Sequence, residues 1–279
     1  MNRTQRMTAA IGVVGIATWL GASVASAQAP VKSTQPPSAT AIEPAAAAAL
    51  DRMGDYLKTL STFAIHAEIA TDEVLVAGPK VQYGGTVDAV YQSPDRLRLR
   101  VTHDEKDDQQ FFYDGKALSL WIEAQKAWAS VATTGTVPET IAMVASKYDV
   151  NFPLGDLLGR AARKELLTDV EAGIVIGTGR VAGVECDHLG FHQAGVDWQV
   201  WIEKGPRPLP RKMVITTLDE PSQPQHTEVL TWDLSPKIDA AMFTFTPPDG
   251  AQRIVIAERQ APKAPKAAKP AAAAKKEVK

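Results

Sequence analysis

The chain has 279 residues, 45% of them hydrophobic, a formal net charge of −2 and one cysteine. The lone Cys186 excludes an internal disulfide, so the core must hold itself together. Residues 259–279 carry seven Lys/Arg and one Glu, which leaves residues 28–258 at about −10 and argues against a nucleic-acid-binding domain.

The N-terminus reads as an export signal. Arg3 and Arg6 precede an apolar run from Met7 to Leu20, and Ala25-Ser26-Ala27 is a small-residue cleavage signature, so cleavage is expected after Ala27. The run is too short to span a bilayer comfortably, and no second apolar stretch of about 18 residues follows. No cysteine follows it to take a lipid anchor. The expectation is an exported protein that is not an integral membrane protein. Residues 28–40, rich in Pro, Ser, Thr and Gln, read as a flexible leader. Residues 259–279, built from Ala, Lys and Pro, read as a disordered tail that solvates the chain or touches anionic envelope surfaces. One domain, residues 41–258, lies between them.

Within that domain the first element is a helix, Pro44 to Leu60. Ala46, Leu50, Met53, Leu57 and Leu60 form one apolar stripe, and Glu43 sits at the positive end. From Phe63 the period changes to two. Strands are expected at Phe63–Ala70, Val81–Tyr91, Arg96–Val101, Gln110–Tyr113, Ala117–Ile122 and Trp128–Val131. Arg96, Arg98 and Arg100 alternate with Leu97, Leu99 and Val101, giving one wet and one dry face. Pro138–Tyr148 and Leu154–Leu158 read as a helical insertion that plugs or covers something. Strands resume at Ile174–Val181, Val184–Phe191, Asp197–Glu203, Lys212–Leu218 and Thr227–Leu234, with a helical turn at Asp239–Met242 and a last short strand near Ile254. The short spacings imply an antiparallel meander. The fold class is α+β: a large curved antiparallel sheet with helices against its apolar face.

Three segments invite a chemical reading, and each has a plainer one. Gly177-Thr178-Gly179-Arg180-Val181-Ala182-Gly183 follows an apolar strand, but the glycines lead into another strand and not into the helix that a dinucleotide site requires. A strand bulge and a turn account for them. Cys186 and His188 share a strand face roughly 6.6–6.8 Å apart, and His192 lies roughly 13 Å further on. That spacing scatters metal ligands, and neither CxxC nor HExxH occurs. No GxSxG marks a nucleophile elbow, and acidic Glu185 and Asp187 beside Cys186 disfavour a thiolate. Trp198, Val200 and Ile202 share one face of their strand and read as core, or as one wall of an apolar cavity.

The chain resembles the DUF2092 family of predicted periplasmic proteins. The resemblance rests on Ser93-Pro94-Asp95-Arg96-Leu97, Tyr113-Asp114-Gly115-Lys116, Cys186-Asp187-His188-Leu189, Asp197-Trp198-Gln199-Val200-Trp201-Ile202, Pro208-Leu209-Pro210-Arg211-Lys212 and the closing Phe243 to Ala251. More distantly it is similar to the LolA/LolB/LppX superfamily, through the N-terminal amphipathic helix, Pro94-x-Arg96-x-Arg98, the aspartate-glycine hairpin and the closing Phe…Pro-Pro-x-Gly. That likeness implies a periplasmic, half-open β-barrel, LolA-like, wrapped around its helices. It also implies a cavity for a lipid or a lipoprotein acyl chain, with no cofactor, metal or catalytic residue. The residues expected to line the cavity are Leu97, Leu99, Ile141, Val144, Leu157, Trp198, Val200 and Ile202, with the helical insertion 137–158 as lid. The competing expectations are an envelope protein-interaction or stress-sensor domain of RseB-like type, whose cavity is filled by its own side chains, and a hydrolase with an unrecognised site.

Overall fold

A computed structural model describes residues 41–258 apart from residues 77, 149, 151, 160–165 and 168. The signal, leader and tail expected at residues 1–27, 28–40 and 259–279 lie outside the described residues, and Ala41–Glu43 open the fold. Helix α1, Pro44–Thr59, starts with Pro44 in its first turn and buries Ala46, Ala49, Leu50, Met53 and Leu57. Leu60, expected as the last residue of that stripe, stands just past the helix and closes it through its backbone N–H to the Leu57 carbonyl. Glu43 makes no capping bond to this helix; its carboxylate accepts the Val175 N–H at 2.9 Å.

The strands follow as a meander: β1 Thr62–Val74, β2 Lys80–Gln92, β3 Arg96–His103, β4 Gln109–Tyr113, β5 Ala117–Ile122 and β6 Ala127–Ala132. Then come α2 Val137–Tyr148, α3 Gly155–Gly159, β7 Val170–Val181, β8 Val184–Gln193, β9 Val196–Glu203, β10 Pro210–Thr217 and β11 Gln225–Asp233. A 3-10 turn, Ala240–Phe243, precedes a two-residue β12, Gln252–Arg253. All join one sheet in the order β12-β6-β5-β4-β3-β2-β1-β11-β10-β9-β8-β7. Every pairing is antiparallel except β12 on β6, which is parallel. The sheet is curved and unclosed, with β12 and β7 as its edges.

One face of this sheet carries the core. Phe63, Ile65, Ala67 and Ile69 of β1, Leu97, Leu99 and Val101 of β3, and Trp198, Val200 and Ile202 of β9 are buried there in one cluster with α1, α2 and α3. Period-two alternation puts them on one side, and a single-residue slip would turn them all to water. Helix α2 is positioned by a reciprocal cap. The Thr136 N–H donates to Glu139 Oε2 at 2.8 Å while the Glu139 N–H donates to Thr136 Oγ1 at 3.4 Å. Tyr113, fully buried, ties the segment before α2 to the sheet: its hydroxyl donates to the Gly135 carbonyl at 2.6 Å and accepts the Gly135 N–H at 3.0 Å.

The other face is not uniformly wet. Phe245 packs on Phe112, Trp121 and Trp128 at 5.1, 5.9 and 5.8 Å between ring centroids, forming a thin second apolar layer. Arg98, expected on an open polar face, lies over the Phe112 ring at 3.8 Å and donates from Nη2 to Gln110 at 2.6 Å. Burial lowers its pKa.

At the β7 edge Gly173 lacks a side chain for a visible reason. A Cβ there would stand 2.7 Å from Phe191 and 3.1 Å from Ile42, which pairs with Gly173 from outside. The strand begins four residues earlier than the alternation predicts. Its register shifts between Val170 and Ala172 and between Val175 and Gly177 hide the period.

Leu99 is fully buried where sheet and helices meet. Leu99→Ala is therefore expected to cost about 2–5 kcal/mol, read as a lowered urea midpoint; a loss below about 1 kcal/mol would contradict the placement of the core.

Candidate functional site

The register sets the inner-face residues in rows across the strands. One row reads Leu189, Val200, Met213, Glu228, Ile69, Gly85, His103 from β8 through to β3. The next reads Phe191, Trp198, Ile215, His226, Thr71, Tyr83. Both rows are apolar under β8, β9 and β10; from β11 onward the second is polar, while the first carries Glu228 and His103 with apolar Ile69 and Gly85 between them.

Helices cover the apolar end. Met53 and Leu57 of α1, Leu157 of α3 and Leu166 face Trp198, Val200, Pro210 and Met213, and the gap between them is about 10 Å³. That is at most the room one water needs. The seam is apolar on both sides and filled by the protein's own side chains. Phe191 stacks on Trp198 at 4.1 Å between centroids and stiffens the wall.

All eight residues expected at a cavity belong to the buried core. The structure brings only Leu157, Trp198 and Val200 to the seam. Leu97, Leu99, Ile141, Val144 and Ile202 pack elsewhere in the core. Alternation tells which face a residue takes, not which stretch of that face stays open to separation. Met53 and Leu57 were visible as part of the helix stripe, but Met213 and Leu166 carry no local signal for this role.

A larger opening of about 320 Å³ lies at the β6 edge, where Ser130 and Val131 face Tyr148 across the chain segment Arg253–Ile256. That segment leaves the sheet after the Ile254 N–H donates to the Trp128 carbonyl, and Lys147 holds Glu258 at 2.9 Å.

Next to the seam, at the register partner of Met213, stands Glu228, 7% exposed. Its Oε1 lies 3.2 Å from His226 Nε2, and His226 Nδ1 lies 2.7 Å from Thr71 Oγ1. The three groups are mutually satisfied when Nε2–H donates to Glu228 and the Thr71 hydroxyl donates to Nδ1. The alternation His226, Glu228, Leu230, Trp232 placed this carboxylate on the apolar face of its strand, a signal the apolar residues of the segment obscure.

The segment 184–218 holds no converging centre. Cys186 and His188 share the outer face, opposite Glu203 and Trp201. Cys186 is fully buried, and burial, ahead of any charge, pushes its thiol pKa up. Beside it Glu203 accepts two bonds from Arg211, the Nε bond at 2.9 Å. His188 stacks on Trp201 at 3.9 Å and bonds Gln199 at 2.9 Å, and Lys212 lies over the same indole at 4.9 Å. Gly179 leaves room for that indole, since a Cβ there would stand 3.0 Å from its nitrogen. His192 is held by Asp197 at 2.6 Å, which raises its pKa. Among the described residues no cluster of His, Cys, Asp and Glu is placed to hold a metal. The glycines of the 177–183 run fall on a bulged strand and on the tight turn Ala182-Gly183, whose φ values are 46° and 82°. Among the described residues no helix is long and apolar enough to cross a membrane.

The pattern of the DUF2092 family of predicted periplasmic proteins matches residues 46–257, and the chain belongs to that family. Several solved structures are similar to it at low identity. Lipoprotein LppX from Mycobacterium tuberculosis is 14% identical over 71% of this chain and 100% of its own, with a TM-score of 0.45. LprF from Mycobacterium bovis is 13% identical over 77% and 100%, with a TM-score of 0.40. A chain of the Pseudomonas aeruginosa MucA/MucB complex is 14% identical over 69% of this chain and 59% of its own, with a TM-score of 0.36. No curated protein matches the sequence.

A thiol that is buried and raised in pKa is a poor nucleophile. Native protein at pH 8 should leave Cys186 unlabelled by iodoacetamide over an hour and label it fully in urea, by intact mass; rapid native labelling would return Cys186 to the list of reactive groups.

Proposed function

We propose that this protein binds an apolar ligand, a lipid or a lipoprotein acyl chain, between the inner sheet face and its helices, as a non-catalytic carrier or chaperone of the periplasm. The observation that carries this reading is the seam between Met53, Leu57, Leu157 and Leu166 on one side and Trp198, Val200 and Met213 on the other. Among the described residues its lining is apolar, so parting its walls breaks mainly apolar contacts, together with the partly exposed Arg52–Asp187 ion pair between α1 and the sheet at 3.6 Å. An entering chain replaces those contacts with its own, and each buried methylene contributes about 0.8 kcal/mol. Two methionines among the lining residues suit such repacking, because the unbranched thioether changes rotamer at little cost. The eight core residues named from the sequence would then act as the wall behind the seam, and the α2–α3 insertion as part of its cover.

A second reading is favoured by a separate observation. The seam holds about 10 Å³, and apolar side chains stand exposed elsewhere: Val74, Leu75 and Val76 at the β1–β2 tip, and Ile174, Val175 and Ile176 on edge strand β7. A protein-interaction domain with a filled core would look like this, and exposed apolar patches of that kind serve as contact surfaces.

Native mass spectrometry with lipid extraction of protein purified from the periplasm separates the two. The carrier reading predicts a co-purifying lipid and saturable binding of an uncharged fluorescent acyl probe. Protein free of lipid that also ignores the probe contradicts it and favours the interaction domain.

A further inference from the structure

We infer that Glu228, His226 and Thr71 form a polar anchor for the head group of the ligand, and that this head donates hydrogen bonds, as an amine does, and is not an anion. The inference rests on the carrier reading above and adds the chemistry of the ligand's polar end.

The anchor's position comes from the register. Glu228 is the direct cross-strand partner of Met213, a wall of the seam, and His226 is the partner of Ile215, which lies beside Trp198. Cross-strand partners stand about 4.5–5.5 Å apart, so an aliphatic chain held at Met213 ends within reach of the Glu228 carboxylate.

A carboxylate on the apolar face of a sheet is costly unless paired. Among the described residues its one side-chain partner is His226, a neutral donor in the arrangement above, and neither Lys nor Arg pairs with it. Among the described residues the one hydrogen bond to the Glu228 carboxylate falls on Oε1. Its second oxygen has no partner among the described residues and is not sealed from solvent.

The donor and acceptor balance then sets the ligand. Both ring nitrogens of His226 are engaged, one by Thr71 and one by Glu228. What is left to offer an incoming group is the second carboxylate oxygen and the lone pairs of the Thr71 hydroxyl, all acceptors. The groups facing the cluster from neighbouring strands are Ile69, Met213, Ile215 and Tyr83, of which only Tyr83 can donate. An ammonium or hydroxyl-rich head finds acceptors here. A carboxylate or phosphate head meets a like charge that no Lys or Arg among the described residues pairs with.

The test compares pyrene-labelled probes of one chain length bearing an amine, an alcohol or a carboxylate head, titrated into the full chain. The expected result is amine tighter than carboxylate by about tenfold or more, the effect of one charge-assisted hydrogen bond, with Glu228→Gln erasing most of that preference. Thr71→Val, which retains the carboxylate, should weaken the amine less. The wild-type ratio is a test without any variant, should Glu228→Gln fail to fold. Equal binding of all three heads, unchanged by Glu228→Gln, overturns the anchor and leaves the carrier intact. Failure of all three probes to bind overturns the carrier reading, and the anchor with it.

Discussion

The structure depends on one constraint: an unclosed sheet of twelve strands has one apolar face, and that face must be covered. A closed barrel would bury it against itself. Here the edges are β12 and β7 and do not pair with one another, so three short helices supply the cover. Helix α1 arrives through Pro44 and the backbone pairing of Ala41–Glu43 with Gly173. Helix α2 is set by the Thr136–Glu139 cap and by Tyr113 beneath it. These attachments sit at the helix starts; along its length α1 meets the sheet through apolar contacts and a partly exposed ion pair, Arg52 to Asp187 of β8 at 3.6 Å. The cover is therefore fixed at its helix starts and held along its length mostly by apolar contacts, which another apolar chain can replace, with the partly exposed Arg52–Asp187 pair adding little.

The polarity of the inner face follows the same logic. Under the helices the rows are Leu, Val, Met, Phe, Trp and Ile; beyond β10 they carry Glu228, His226, Thr71, Tyr83 and His103, with Ile69 and Gly85 among them. Burying a carboxylate on this face costs less where it is hydrogen-bonded, and Glu228 is linked through His226 to Thr71. An amphiphile has the same division along its length. That match between an apolar stretch and an adjoining acceptor-rich one joins the proposed function to the proposed head-group chemistry.

Much of the fold was legible in the sequence, because alternation over strands such as Ala64–Ile69 and Trp198–Ile202 leaves one arrangement that buries its apolar residues. The fold class, the helical insertion and the scattering of Cys186, His188 and His192 all follow from period and spacing. Three features do not. The early start of β7 is hidden by bulges that break the period at Glu171 and Ile176. The parallel docking of Gln252–Arg253 on β6 is a long-range pairing of two residues with no local signal. The third is the location and closure of the seam, which brings Met53, Leu157 and Met213 together from three distant parts of the chain. Burial of Leu97, Leu99, Ile141, Val144 and Ile202 was readable from pattern; their distance from the seam was not. Glu228 was readable, since period two sets it beside Leu230, but its partners Thr71 and His226 lie 155 residues apart.

The central claim is that the seam parts to admit an apolar chain. It is tested most directly by joining its two walls. In a Cys186→Ala background, Met53→Cys and Met213→Cys would be bridged by a short bismaleimide, and binding of an uncharged acyl probe compared before and after bridging. The account predicts that the unbridged double variant binds and the bridged protein does not. Undiminished binding by the bridged protein would contradict it, placing the ligand elsewhere on the molecule.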